Sequence, residues 1–269
     1  MPWRYTATKN KLDSMSIKDF VPPIVARMGA LLRSNRYGWS GNYRTWEDAR
    51  KVSEGYDSKE ILRRVSASVE KVKSGQAIYE RDSVLLEEIQ YSWPLLTGLL
   101  WSAAKHDGRL HVLDFGGSLG SSFFQNRMFL DGLKELAWGV VEQEEFVKEG
   151  QRKLEDQALK FFPDMESCYQ ALKPNVFLFS CVLQYLESPY DLLRKALSLQ
   201  PELVIIDNMP FTEEAERLTV QKVPPGIYPA SYPCWILNRA EFMRTFDSGY
   251  QIVAGFTSPL SILLDGRAV

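Results

Sequence analysis

The residues best placed to do chemistry lie in the stretch HVLDFGGSLGSSFFQNRMFL, His111 to Leu130. An apolar run there ends at Asp114 and Phe115, and Gly116, Gly117, Ser118 and Gly120 follow at once. Glycines at a strand-to-helix turn permit positive φ and let the backbone come close to a ligand. The helix start behind them turns free N–H groups toward negative charge. Further on, VVEQ ends a second apolar run with Glu142, and LFSCVLQYL ends a later one with Ser180 and Gln184. An acid at the second strand's end accepts hydrogen bonds from both hydroxyls of a ribose. The three features, in order and each at a strand's carboxyl end, describe a nucleoside site.

The kind of nucleoside follows from charge. A nicotinamide-dependent oxidoreductase places G-x-G-x-x-G right after its first strand. Here the order is Asp-Phe-Gly-Gly-Ser-Leu-Gly, with an acid at the strand's end. That acid repels a pyrophosphate but suits an ammonium group. S-adenosylmethionine meets the requirement, because its amino-acid end is zwitterionic and its sulfonium is cationic. Two rival readings stand beside this one: the oxidoreductase, which Asp114 argues against, and a cofactor-binding but catalytically silent subunit.

Candidates for the acceptor side are less sharply marked. His106 and His111 precede or open the first strand and so fall at the wrong end of a sheet. Asp207 and Asn208 end the fifth apolar run, and Asp207 is the first choice for a carboxylate base. The segment DNMPFTEEAERLTVQKVPPGIYPASYPCW is long for a strand-to-helix connection, and long loops are often functional. It reads as a cover over the acceptor, carrying Arg217, Lys222, Tyr228, Tyr232 and Trp235. Arg217 and Lys222 suit an anionic acceptor such as a sugar phosphate or nucleotide-linked sugar. Tyr79 to Asp82, in AIYERDSV, form a second candidate for a lid or an acceptor contact.

Composition excludes more than it selects. The 269 residues carry a formal net charge of -2 and are 45% hydrophobic. A near-neutral chain lacks the basic face that nucleic acid requires. No apolar run reaches the roughly 20 residues of a membrane span, and the first residues lack the apolar core of a secretory signal. The expected location is the cytoplasm. Cys168, Cys181 and Cys234 are too scattered for a disulfide frame or a CxxC site, and no metal is expected. No GxSxG occurs, which speaks against an α/β-hydrolase.

The elements that must position these residues change character near residue 105. Residues 1–104 read as a helical, loop-rich extension. Its segments include a helix in IKDFVPPIVARMGALLRS, an aromatic connector in YGWSGNYRTWEDARKVSEGY with Thr45 as an N-cap, and a helix in DSKEILRRVSASVEKVKSG closed by Gly75. DSVLLEEIQYSWPLLTGLLWSAAKH reads as one or two more helices, broken at Pro94. Residues 105–269 alternate strand and helix. LHVLDF, LAWGVVEQ, LKFFPD, PNVFLFSCV and ELVIIDNM are strand candidates separated by amphipathic helices, and YQIVAGFTS and LSILLDG add two more. Continuous apolar strands between such helices indicate a mostly parallel, doubly wound α/β sheet, with ligands at the strands' carboxyl ends.

On these motifs the chain resembles the class I S-adenosylmethionine-dependent methyltransferases. More narrowly, it resembles a bacterial family of such proteins often encoded near surface-polysaccharide genes. The resemblance runs from YGWSGNYRTWEDA to YQIVAGF and includes GYDSKEIL, AIYERDSVL, VVEQEEFV, VLQYLESPYDLL, DNMPF and RLTVQKVPPGIYPASYPCW. It implies a Rossmann-like sheet of the seven-stranded type and the methyl donor S-adenosyl-L-methionine, but no settled acceptor. The leading expectation is oxygen methylation of a small, polar, glycan-related acceptor, with nitrogen or carbon methylation left open. It places Asp114, Phe115, Gly116, Gly117, Ser118 and Gly120 on the donor loop, Glu142 on the ribose, Gln143 beside the adenine, and Ser180 with Leu183, Gln184 and Tyr185 along the cofactor. Asp207, Tyr232 and Arg217 are then the candidates for the catalytic side. The family usually has glycine where this chain has Ser118, so the turn must be rewired. The spacing from Gly120 to Glu142 implies a longer first helix whose QNRMFL segment packs over the site.

Overall fold

The computed structural model describes residues 37–269 apart from 56, 57, 82, 83, 87, 90, 225, 226, 228, 229, 247, 248, 259–261, 266 and 269. The helix expected in IKDFVPPIVARMGALLRS, and the expectations for Asp82, Ser83 and Tyr228, lie outside the described residues.

Before the glycine turn the chain forms β1 (Gly38–Tyr43), α1 (Trp46–Lys51), α2 (Ser58–Lys73), the antiparallel hairpin β2 (Tyr79–Arg81) and β3 (Val84–Leu86), and α3 (Trp93–Lys105). Thr45 caps α1 as expected, its Oγ accepting the Asp48 N–H at 3.1 Å. Gly75, at φ +74°, lies just past α2. DSVLLEEIQYSWPLL departs from the helical expectation. It begins as strand β3, and Pro94 lies in the first turn of α3, where its missing N–H costs nothing. Leu95, Leu96, Leu99, Ser102 and Ala103 form the buried face of α3.

The expected alternation follows: β4 (Arg109–Phe115), α4 (Ser121–Leu130), β5 (Glu135–Val141), α5 (Glu144–Lys153), β6 (Leu159–Phe162), α6 (Met165–Leu172), β7 (Val176–Ser180), α7 (Pro189–Ser198) and β8 (Leu203–Asp207). The strands pair in parallel in the order β6-β5-β4-β7-β8. Side chains alternate between two cores, as the two-residue strand period requires. Val112, Val140 and Phe161 pack with α2, α3, α4 and α5, whereas Leu113, Val141 and Phe177 pack with α6 and α7. The sheet is doubly wound. Its order reverses at β4, and the crevice above a reversal is where such sheets bind ligands.

Two expectations fail. Gln251 to Ser258 forms no strand, and Ile252, Val253 and Phe256 are exposed. The parallel sheet therefore has five strands among the described residues, with β8 at its edge, and not seven. Apolar alternation marks a segment able to pair but names no partner for it. The long connection after β8 is also no loop. It forms β9 (Phe211–Thr212), β10 (Arg217–Lys222) and β11 (Ser231–Asn238), followed by α8 (Arg239–Arg244), β12 (Leu263–Leu264) and β13 (Arg267–Ala268). These strands join β1 in a second sheet, ordered β13-β12-β1-β10-β11-β9. β10 and β11 pair antiparallel from Arg217–Ile236 to Lys222–Ser231. Pro233 fits inside β11 because β9 pairs only with Leu237 and Asn238, so no ladder bond is lost on that side.

Candidate cofactor and acceptor cleft

The turn after β4 is built from three left-handed residues. Gly116 has φ +70°, Ser118 +54° and Gly120 +89°. Ser118 thus takes the left-handed backbone shape for which glycine is usual, so at this position the turn keeps that shape and is not rewired as the sequence suggested. Gly117 is needed for a different reason. A Cβ there would stand 2.5 Å from Asp114 Oδ2, and a Cβ on Gly116 would stand 2.4 Å from Val182 Cγ2. Gly120 N-caps α4 and its N–H closes the turn on Gly117 O at 2.9 Å.

Under this turn Asp114 is 1% exposed. Trp138 Nε1 donates to its Oδ2 at 3.1 Å, while its Oδ1 has no partner. Burial pushes the carboxyl up to about 7, the Trp138 hydrogen bond opposes the rise, and the charge of Glu142 adds to it. Glu142, at the end of the neighbouring β5, is also raised by burial, against the N–H groups of Gln143 and Ser118 that donate to it. Two carboxylates that disfavour each other's charge thus face the crevice. A cation relieves both.

The ends of β7 and β8 carry a second polar group. Asp207 accepts from Ser92 Oγ at 2.9 Å, Ser180 Oγ at 3.0 Å and Asn208 Nδ2 at 2.7 Å. Cys181 and Asn208, the residues just after these strands, both have φ +54°. A 3-10 turn at Leu183–Tyr185 follows β7. Gln184 in it is 2% exposed, and its Oε1 has no partner. Tyr185 donates through its hydroxyl to Gln221 Oε1 at 2.8 Å, and its ring meets Tyr232 edge-on with centroids 5.1 Å apart. Gln221 and Tyr232 belong to β10 and β11, so the second sheet walls the crevice opposite the strand ends.

One cleft is lined by Asp114, Phe115, Gly116, Gly117, Ser118, Glu142, Gln143, Ser180, Gln184, Tyr185, Asp207 and Tyr232. Gly120 shapes its turn without lining it. Leu183 is a correction: it is 1% exposed and packs into the core below β7. Arg217 is another. Its Nε donates to Gly41 O at 2.8 Å and its guanidinium pairs with Asp265, away from the cleft wall. Arg217 and cleft-lining Gln221 are four residues apart and so share a face of β10, but they lie toward opposite ends of it. Lys222 and Trp235 do not line the cleft either. Tyr79 does, and next to it buried Glu80 accepts a hydrogen bond from Ser121 at the start of α4. Ser121 and Ser122 at the start of α4 line the cleft, but of the QNRMFL segment expected over the site only Gln125 does, and the helix stops at Leu130.

Sequence reasoning missed Ser92 and Gln221. Ser92 meets Asp207 across 115 positions, with no local signal. Gln221 had one, the alternation in RLTVQK, which marks a strand with a polar face. His106 and His111 pair with Glu202 and Glu135, each at 2.8 Å, toward the amino end of the sheet. Among the described residues no group of His, Cys, Asp or Glu is arranged to hold a metal, and no helix is long and apolar enough to cross a membrane.

No protein-family model matches the chain, and no curated protein matches it. Among solved structures it is similar to the N-terminal domain of EvdMO1 in the presence of SAH and D-fucose, at 15% identity and a TM-score of 0.38, over 71% of this chain and 85% of that one. It is similar to Burkholderia thailandensis 1,6-didemethyltoxoflavin-N1-methyltransferase with bound 1,6-didemethyltoxoflavin and S-adenosylhomocysteine, at 14% identity and a TM-score of 0.35, over 70% and 76%. It is also similar to the mitomycin 7-O-methyltransferase MmcR, at 13% identity and a TM-score of 0.38, over 86% and 62%. Likenesses of this size leave the function of the cleft to be argued from its own residues.

Proposed function

We propose that the protein is an S-adenosylmethionine-dependent methyltransferase acting on an oxygen of a small polar acceptor. The observation that carries this reading is the unpartnered, buried Oδ1 of Asp114 beneath a turn that admits no Cβ at Gly116 or Gly117. A buried carboxylate oxygen left bare is costly, and a positively charged donor stabilises it most. A pyrophosphate at the same place adds charge repulsion, which disfavours a dinucleotide.

The residues fit the methyl donor. Asp114 suits its ammonium group, Glu142 its ribose hydroxyls and Gln143 the edge of its adenine. When bound, the donor supplies a methyl group on a cationic sulfur. The chain's own work is then alignment and proton handling. Tyr185 and Tyr232 with Gln221 close the cleft over the strand ends, and Ser92 and Ser180 hold the Asp207 carboxylate at the acceptor side. An acceptor hydroxyl that replaces one of these serine bonds would pass its proton to Asp207. The reading is tested by calorimetry with S-adenosylhomocysteine and by transfer of a tritiated methyl group. A folded protein that does not bind S-adenosylhomocysteine contradicts it.

A further inference from the structure

We infer that the acceptor is an uncharged polyhydroxyl compound, a neutral sugar ring, seated between Asp207 and the Tyr185–Tyr232 pair. The inference rests on the methyl-transfer reading of the same cleft and narrows its acceptor. Three observations carry it.

The first is charge. At the carboxyl ends of the parallel strands the charged cleft-lining residues, among those described, are Asp114, Glu142 and Asp207. The cations that line its outer reaches point elsewhere. Arg194 pairs with Asp191, Arg239 with Glu213, and Lys105 lies over the Trp101 ring. Arg217 and Lys222, the residues expected to meet an anion, do not line the cleft. A phosphate placed beside Asp207 would therefore face a carboxylate with no described cation opposite.

The second is the kind of polar group. Asp207, Asn208, Gln184, Gln221, Ser92 and Ser180 offer mixed donors and acceptors in one cleft. A hydroxyl both donates and accepts, so a polyol satisfies such a set where a purely accepting anion does not. Gln184 makes the demand specific: its buried Oε1 lacks a donor. The third is shape. Tyr185, Tyr232 and Trp39 line the cleft, and Trp39 and Tyr232 flank Gln221 on one face of the second sheet. Aromatic side chains give a large apolar surface with a polar tip, matching the C–H face and hydroxyl rim of a sugar ring.

The test titrates the protein, with and without saturating S-adenosylhomocysteine, with neutral hexoses and deoxyhexoses. Each is set beside its own 1-phosphate and its uridine-diphosphate form. Tryptophan fluorescence and saturation-transfer NMR follow binding without needing turnover. A neutral member should bind at least about tenfold tighter than its phosphate, the size of a single unscreened like-charge contact near a protein surface or less. Gln184→Ala and Tyr232→Ala should weaken that binding, and Gln221→Lys should narrow the gap between neutral and phosphorylated forms. A phosphorylated or nucleotide-linked form that binds tighter than its neutral parent overturns the inference, and so does a panel in which no neutral sugar binds. If S-adenosylhomocysteine binds and the phosphate wins, the inference falls while the methyl-transfer reading stands. If a neutral sugar binds and S-adenosylhomocysteine does not, the reverse holds.

Discussion

The parallel sheet and the second, mixed sheet are joined at one cleft but are built on opposite principles. Each turn of the parallel sheet is local: a strand, a turn and a helix follow one another, and every strand pairs with others in the same stretch of chain. The second sheet draws β1 from residues 38–43, β10 and β11 from 217–238, and β12 and β13 from 263–268. The first sheet places the residues proposed for the cofactor, and the second adds a wall. The difference predicts that damage to the glycine turn strikes ligand binding, whereas damage to the second sheet's ties strikes stability.

The largest effect should come from Gly116→Val. Its Cβ would meet Val182 at 2.4 Å, and a β-branched residue resists φ +70°. We expect S-adenosylhomocysteine binding to vanish in a protein whose circular dichroism still reports the fold. Normal affinity in that variant would make the turn purely structural and dissolve the contrast between the two regions.

Asp114→Asn comes next and separates binding from stability. The folded-state pKa of Asp114, about 7, lies above its ordinary value, so the group's contribution is full at low pH and is lost as pH rises toward 7. The loss by pH 8 is about 4 kcal/mol, the equivalent of a rise from 3.8 to about 7. Asparagine removes that loss. The variant should melt close to wild type near pH 4, melt above it at pH 8, and bind S-adenosylhomocysteine poorly at both. Equal melting temperatures at pH 8 would show that Asp114 ionises there at little cost.

This pairing also explains what the sequence disclosed. The five parallel strands, their helices and the acids at the ends of β4 and β5 were legible because hydrophobic period and turn chemistry are both local. Gly117 was legible as part of a glycine turn, but its reason, the Asp114 carboxylate beneath it, was not. β1 was hidden by Gly38 and Gly41, both at positive φ, with the pairing to β10 shifting between Ser40 and Tyr43. Such a bulge reads as a connector in one dimension. β11 was hidden by Pro233, which is paired with Val220 of β10 on one side and has no β9 partner on the other. Arg217 was chosen for its charge alone, and its true partners, Gly41 and Asp265, lie 176 and 48 positions away.

Arg217→Ala sharpens the comparison from the second sheet's side. It removes the hydrogen bond to Gly41 O and the pair with Asp265, which tie β10 to β1 and to the turn after β12. The expected cost is about 1–2 kcal/mol of stability, since the side chain is partly exposed and the ion pair is screened. Chemical denaturation should show that loss, and calorimetry should show S-adenosylhomocysteine affinity unchanged. A variant of normal stability with weakened cofactor binding would move Arg217 back to the site.

Ser118→Gly is the smallest and most exact probe of the turn. Ser118 holds φ +54°, a conformation that costs an L-residue about 1–2 kcal/mol. Glycine removes that strain, but it loses more chain entropy on folding, by roughly 0.5–1 kcal/mol. The two effects partly cancel, leaving a net stabilisation between zero and about 1.5 kcal/mol. The Ser118 N–H that donates to Glu142 is retained, because the substitution changes no backbone atom. S-adenosylhomocysteine affinity should therefore match wild type within about twofold. A large loss of affinity would mean that the Ser118 hydroxyl itself touches the cofactor, and the serine would then be a ligand and not a strained stand-in for glycine.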